Sequence, residues 1–111
     1  MKAGGAESGM WLKLPYDFLD SEAMRDLSSA CLKLYIHCLL KASRKNRVVG
    51  GEPVDKGSLI ASTRKLGEAT GISRSTIMRS LKILNDKGLI VSCSRKSGAT
   101  VIRIVDFERY L

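Results

Sequence analysis

From Gly71 onward, GISRSTIMRSLKILNDKGL sets Ser73, Arg74, Ser75, Thr76, Arg79 and Lys82 close together, with no carboxylate before Asp86. Hydroxyls, guanidinium groups and an ammonium in this arrangement make neither a nucleophile–base pair nor a metal-ligand set. They present hydrogen-bond donors, and the chemistry open to them is recognition of phosphates or of acceptor-rich edges. Arg64 and Lys65 precede the stretch, and Arg95 and Lys96 follow it. These ten residues are the candidate site.

The surrounding elements must hold those donors outward. Inside the stretch Ile77, Leu81 and Leu84 recur at four- and three-residue steps, which predicts a helix from Arg74 to Lys87 with one apolar stripe. At about 100° per residue, Ser75, Arg79, Lys82 and Asp86 fall on the opposite face. Ser73 is the expected N-cap, its hydroxyl accepting from the N–H of Ser75 or Thr76, and Gly88 is the expected left-handed stop. A shorter helix is predicted from Ser62 to Thr70, with Ser62 and Thr63 competing as its cap and Gly71-Ile72-Ser73 as the turn after it. Leu66, Ala69 and either Leu59 or Ile60 are expected to pack on the stripe. Two helices joined by such a turn form a helix-turn-helix.

After Gly88, Leu89–Cys93 and Thr100–Val105 are rich in β-branched residues and read as strands. The polar, basic loop 94–99 joins them. With Leu59–Ala61 as a third strand, the fold class is α+β, mainly α: a winged helix-turn-helix, with a three-helix core and a small antiparallel sheet.

The remaining helix is capped by Ser28 or Ser29 and runs to Lys41 or Arg44. It is apolar on nearly every side, and so is expected to be buried or to leave a face for a second copy of the chain, a homodimer through helix 28–44. Ahead of it, Trp11, Leu14, Phe18 and Leu19 are expected to cover the core, with Trp11–Leu14 pairing as a short strand. Asp20 or Ser21 caps a short helix to Arg25. Residues 44–56 read as a loop in which Val48-Val49 is an extended piece, and the cluster Arg44–Arg47 serves either the helix dipole or a phosphate. Phe107 and Tyr110 are expected to pack back onto the sheet. Residues 1–9, small and Gly-rich, read as a disordered tail before a single domain, residues 10–111.

Charge follows the same division. The 111 residues carry a net charge of +8. From Gly57 to Val105 nine Lys or Arg stand against Glu68 and Asp86 alone, whereas the chain before Gly57 is nearly balanced. A basic patch placed there concentrates a polyanion. Cys31, Cys38 and Cys93 are odd in number and lack Cys-x-x-Cys spacing, so neither a disulfide framework nor a zinc site is expected. Neither a phosphate-binding glycine loop nor a nucleophile elbow nor a paired-carboxylate motif is present. No enzyme, no metal and no cofactor are expected, and no membrane association, since nothing approaches the roughly 18 apolar residues of a span. A cytoplasmic setting with reduced thiols follows.

The helix from Arg74 suits the major groove of duplex DNA, which admits one helix and offers acceptors to Arg, Lys, Ser and Thr. Arg95 and Lys96 would then reach a flanking phosphate or the minor groove. The other reading of this fold is a protein-interaction module.

GISRSTIMRSLKILNDKGLI resembles the recognition helix and first wing strand of MarR-type regulators. In the order WLKLPYDFLDS, LSSACLKLYIHCLLKAS, DKGSLIASTRKLGEATGISRSTIMRSL and TVIRIVDFERY, the chain resembles the N-terminal domain of phage and plasmid replication-initiation proteins. That resemblance implies origin recognition by a winged helix, often dimeric, in bacterial mobile-element DNA, with replication or transcription proteins as further partners. A small transcriptional regulator is the alternative it leaves.

Overall fold

The computed structural model describes residues 11–111; the tail expected over residues 1–9 lies outside them. In chain order the elements are α1 (Glu22–Arg25), α2 (Ser29–Lys41), β1 (Arg47–Val49), β2 (Glu52–Val54), β3 (Ser58–Ala61), α3 (Thr63–Thr70), α4 (Arg74–Asp86), β4 (Ile90–Ser94) and β5 (Thr100–Ile104). A 3-10 turn, Phe107–Tyr110, ends the chain. Three helices, α2, α3 and α4, back a three-stranded antiparallel sheet of order β3-β5-β4. This is the winged helix expected from the sequence.

Each long helix starts where a hydroxyl can accept an orphan N–H. Ser28 accepts from Cys31, Ser62 from Lys65 and Ser73 from Thr76. Ser62 rather than Thr63 therefore caps α3. Gly71 and Gly88 follow α3 and α4 with φ of 76° and 73°, the left-handed stop expected at Gly88 and found at Gly71 as well.

The core lies where α2 crosses α4 above the sheet. Leu34, Leu66, Ile77, Leu84, Ile90 and Ile102 are all fully buried there. Burying side chains of this size contributes roughly 1.5–3 kcal/mol each. The Cys31 thiol donates to the Ser80 carbonyl at 3.7 Å, tying α2 to α4. Burial pushes both core thiols up, Cys38 to about 12, so they pack as small apolar groups. Phe18, Tyr35 and Tyr110 form an aromatic cluster in which Phe18 stacks on Tyr35 and meets Tyr110 edge-on, with the two phenol oxygens 3.3 Å apart. Phe107 and Tyr110 are both buried as expected, Phe107 beside Gly57 at the start of β3, but Tyr110 packs on this cluster and α2.

Several sequence expectations are corrected. Of the two limits expected for α2 the shorter holds, Lys41 rather than Arg44, with Ser28 as the cap: Ala42 turns extended, and Ser43 exchanges backbone bonds with Ser58 and Gly57 that draw the chain to β3. Residues 11–14 form no strand; one backbone bond, Lys13 N–H to the Tyr110 carbonyl at 2.9 Å, and the Arg44 guanidinium on the Trp11 carbonyl hold them. Of the expected apolar anchors there only Phe18 is buried, while Trp11, Leu14 and Leu19 stay exposed. Ala69 is exposed and Thr70 takes the inward place, its hydroxyl donating to the Leu66 carbonyl and accepting from the Ile72 N–H. Beyond one extended piece at Val48-Val49, residues 47–54 form a complete hairpin. Gly50 and Gly51, both at positive φ, make its two-residue turn, the backbone that the right-handed twist of paired strands selects.

Candidate nucleic-acid interface

The stripe that seats α4 fixes the direction of everything opposite it. Ile77, Leu81 and Leu84 are buried, and Ser75, Arg79 and Lys82 are exposed on the far side. Ser73, Arg74 and Thr76 gather at the start of the helix. The Ser73 hydroxyl donates to Thr76 Oγ1 at 2.9 Å, and Arg79 Nη2 donates to the same oxygen at 3.4 Å. This short chain of bonds holds the guanidinium along the first two turns. Lys82 reaches Asp86 at 3.3 Å, and Arg64 reaches Glu68 at 3.9 Å, both solvent-exposed pairs one turn apart. Such pairs are worth only a few tenths of a kcal/mol, so either cation can turn to another anion.

The wing is aligned to this helix by a residue the sequence reading passed over. Asn85 donates to the Leu81 carbonyl at 2.8 Å and to Ser92 Oγ at 2.7 Å, and its Oδ1 accepts the Ser92 N–H at 2.9 Å. One amide thus pins β4 to α4. Between them runs a groove lined by Thr63, Met78, Lys82, Ser92 and Ser94. Met78 was also passed over. It is 54% exposed on the flank of the polar face that borders this groove, where an unbranched apolar side chain suits the methyl group of thymine.

The ten candidate residues do not all converge. Ser75, Thr76, Arg79 and Lys82 share the outer side of α4, while Ser73 and Arg74 stand exposed at its N-terminal end. Arg64 lies with Ser73 and Arg74 along the cleft between the two helices. Lys65 is on another flank of α3, over a cavity that it shares with Lys41 and Arg47. In the wing Lys96 is exposed and free of carboxylates among the described residues, but Arg95 is only partly exposed and forms an ion pair with Glu52 of β2. Arg95 therefore joins the two hairpins rather than standing free at the tip. Arg44 is similarly engaged, donating to the Trp11 carbonyl at 2.6 Å.

The Glu52 carboxylate also places a negative charge beside the wing. Glu52→Gln is expected to strengthen binding of a polyanion about 1.5- to 5-fold, the range of one exposed ion pair, and equally for every sequence. Fluorescence anisotropy with two unrelated duplexes checks this.

His37 is half-buried, and burial, followed by the Lys41 charge, holds it below the ordinary histidine range. Among the described residues no group of three or more His, Cys, Asp or Glu stands together as a metal site. None of the described helices is long and apolar enough to cross a membrane.

Residues 52–104, from β2 to the end of β5, match the family model of the Firmicute plasmid replication protein RepL. Two solved structures share the fold, each at 16% identity over 96% of this chain and 82% of the other. One is the N-terminal domain of a DNA binding protein, with a TM-score of 0.57, and the second is a Rep–DNA complex, with a TM-score of 0.58. No curated protein matches the chain. The resemblance to replication-initiation proteins read from the sequence is upheld by the family match.

Proposed function

We propose that this chain, whose residues 52–104 are of RepL type, is the DNA-binding domain of a plasmid replication initiator. The observation that carries the reading is the outer side of α4: Ser75, Arg79 and Lys82 stand in solvent opposite the buried stripe, with Arg74 exposed at the start of the helix and Lys96 exposed on the wing. Helix α4 enters the major groove with its N-terminal residues on base edges, and the N–H groups at its start suit a backbone phosphate. Arg64 at the head of α3 and Lys96 on the wing contact phosphates on either side. Catalysis has no part in this reading. Duplex DNA is the partner, and a cytoplasmic site of action follows from it.

Base contacts and phosphate contacts differ in what their loss does. Lys96→Ala is expected to weaken binding alike for all sequences and to lower the slope of log K against log salt by about one. A titration of both proteins from about 50 to 200 mM salt measures it, and an unchanged slope would take Lys96 off the backbone.

Met78 makes a different prediction. Replacing thymine by uracil in a selected site should weaken the wild-type protein and leave Met78→Ser unaffected at the same position. Equal responses of the two proteins would remove the methyl contact.

The finer part of the proposal is a homodimer through α2. Leu32, Ile36 and Leu40 recur on it at four-residue steps, and Leu40 is 57% exposed. Selected sites decide it: inverted half-sites about one helical turn apart mean a symmetric dimer, and direct repeats mean independent copies along an origin.

A further inference from the structure

Away from α4, unpaired positive charge collects around a cavity of about 270 Å³ between α2, the β1–β2 hairpin, β3 and α3. Leu59, Leu66 and Val54 give it an apolar floor, and Lys41, Arg47, Lys65 and His37 stand on its walls; no carboxylate lines it. Lys56, Arg64, Lys82 and Arg95 each have a carboxylate within 4 Å, and among the described residues Lys41, Arg47 and Lys65 have none. Three cations from three different elements thus face one space without a counter-charge.

Strand β3 adds a polar group to that space. Its other edge is taken by β5, where the Gly57 carbonyl accepts from Ile104 N–H and Leu59 pairs with Ile102. In an antiparallel ladder the intervening residues turn their N–H and C=O the opposite way. Ser58 does so, its carbonyl accepting from the Ser43 N–H. Ile60, two residues on, lines the cavity and has no backbone partner on that side among the described residues.

The occupant is set by charge, surface and size together. Walls of unmatched cations call for an anion, and an apolar floor calls for a body that inorganic phosphate or a nucleic-acid backbone lacks. The volume lies just below the roughly 300–1,000 Å³ of sites for drug-sized ligands, enough for one ring or a short aliphatic chain. We propose that this cavity binds a small organic anion, an apolar body bearing a carboxylate or phosphate, with the body on Leu59 and Leu66 and the anion among Lys41, Arg47 and Lys65. The site goes beyond the DNA-binding reading and does not depend on it.

The test is an NMR titration of the isotope-labelled protein with benzoate, phenyl phosphate, benzyl alcohol and inorganic phosphate. Saturable shifts are expected in residues 37–41, 47–54 and 58–66 with benzoate or phenyl phosphate, at a dissociation constant on the order of 1 mM for so small a ligand. Whichever binds more tightly identifies the anionic group as carboxylate or phosphate. Benzyl alcohol and inorganic phosphate should each bind at least about tenfold more weakly. Lys41→Gln/Arg47→Gln should weaken the charged probes about tenfold or more, while its unchanged signals elsewhere show an intact fold. Absence of saturable shifts with both charged probes overturns the site, and so does binding indifferent to the double substitution. Inorganic phosphate binding as tightly as phenyl phosphate would leave only a charged surface. If duplex DNA moves the same signals, and the double substitution weakens DNA as much as Arg79→Ala does, the rim belongs to the DNA interface and the proposal fails.

Discussion

Alanine at both Arg74 and Arg79 is expected to lower affinity for a selected duplex by about 2–6 kcal/mol, since each lost bidentate base contact costs about 1–3 kcal/mol. Both side chains are exposed and pair with no carboxylate among the described residues. The thermal midpoint should therefore hardly move. Binding to unrelated duplexes should fall less, because there the two arginines contribute only charge. Anisotropy titrations on selected and scrambled duplexes separate the terms. An equal loss on both would reassign the arginines from bases to phosphates.

A side chain at Gly67 should be nearly as damaging, but to folding. A Cβ there would lie 2.8 Å from the Ile72 carbonyl oxygen. That oxygen is backbone, on the far side of the turn, and cannot swing away as a flexible side chain does. Gly67→Val must push α3 from the turn that delivers α4, at the roughly 1–3 kcal/mol typical of overpacking or somewhat more. For a domain of this length about 4–8 °C is lost per kcal/mol. Thermal unfolding followed by circular dichroism measures it; Ala69→Val, at an exposed position on the same helix, serves as the control. Equal midpoints for the two variants would mean that the turn yields without cost.

The helix-turn-helix was legible because its signals are local. A hydroxyl at Ser73, a glycine at Gly88 and the 77-81-84 stripe fix the limits and the orientation of α4 without reference to the rest of the chain. Its exposed face follows by rotation alone. The wing strands were legible for a similar reason, since two runs rich in β-branched residues flank a polar loop.

Long-range pairing was not legible. Nothing near Arg95 announces that Glu52, 43 residues earlier, will neutralise it, so the wing looked more exposed in sequence than it is. Asn85 looked like an indifferent helical residue, and its role depends on where β4 returns. The β1–β2 hairpin did leave a signal, a Gly-Gly pair between two short valine-containing runs. Strands of only three residues made that signal easy to read as loop. The segment 11–19 misled because its large apolar residues lack a period, and hydrophobicity without a period does not say which side chains face inward.

The central claim is that α4 reads base edges in the major groove. Selection of duplexes from a random library, run in parallel with the wild-type protein and Arg79→Ala, tests it most directly. A defined motif should emerge for the wild type, and the variant should lose preference at one or two adjacent positions while keeping the others. Failure of the wild type to enrich any sequence, or the same motif undiminished in Arg79→Ala, would contradict it.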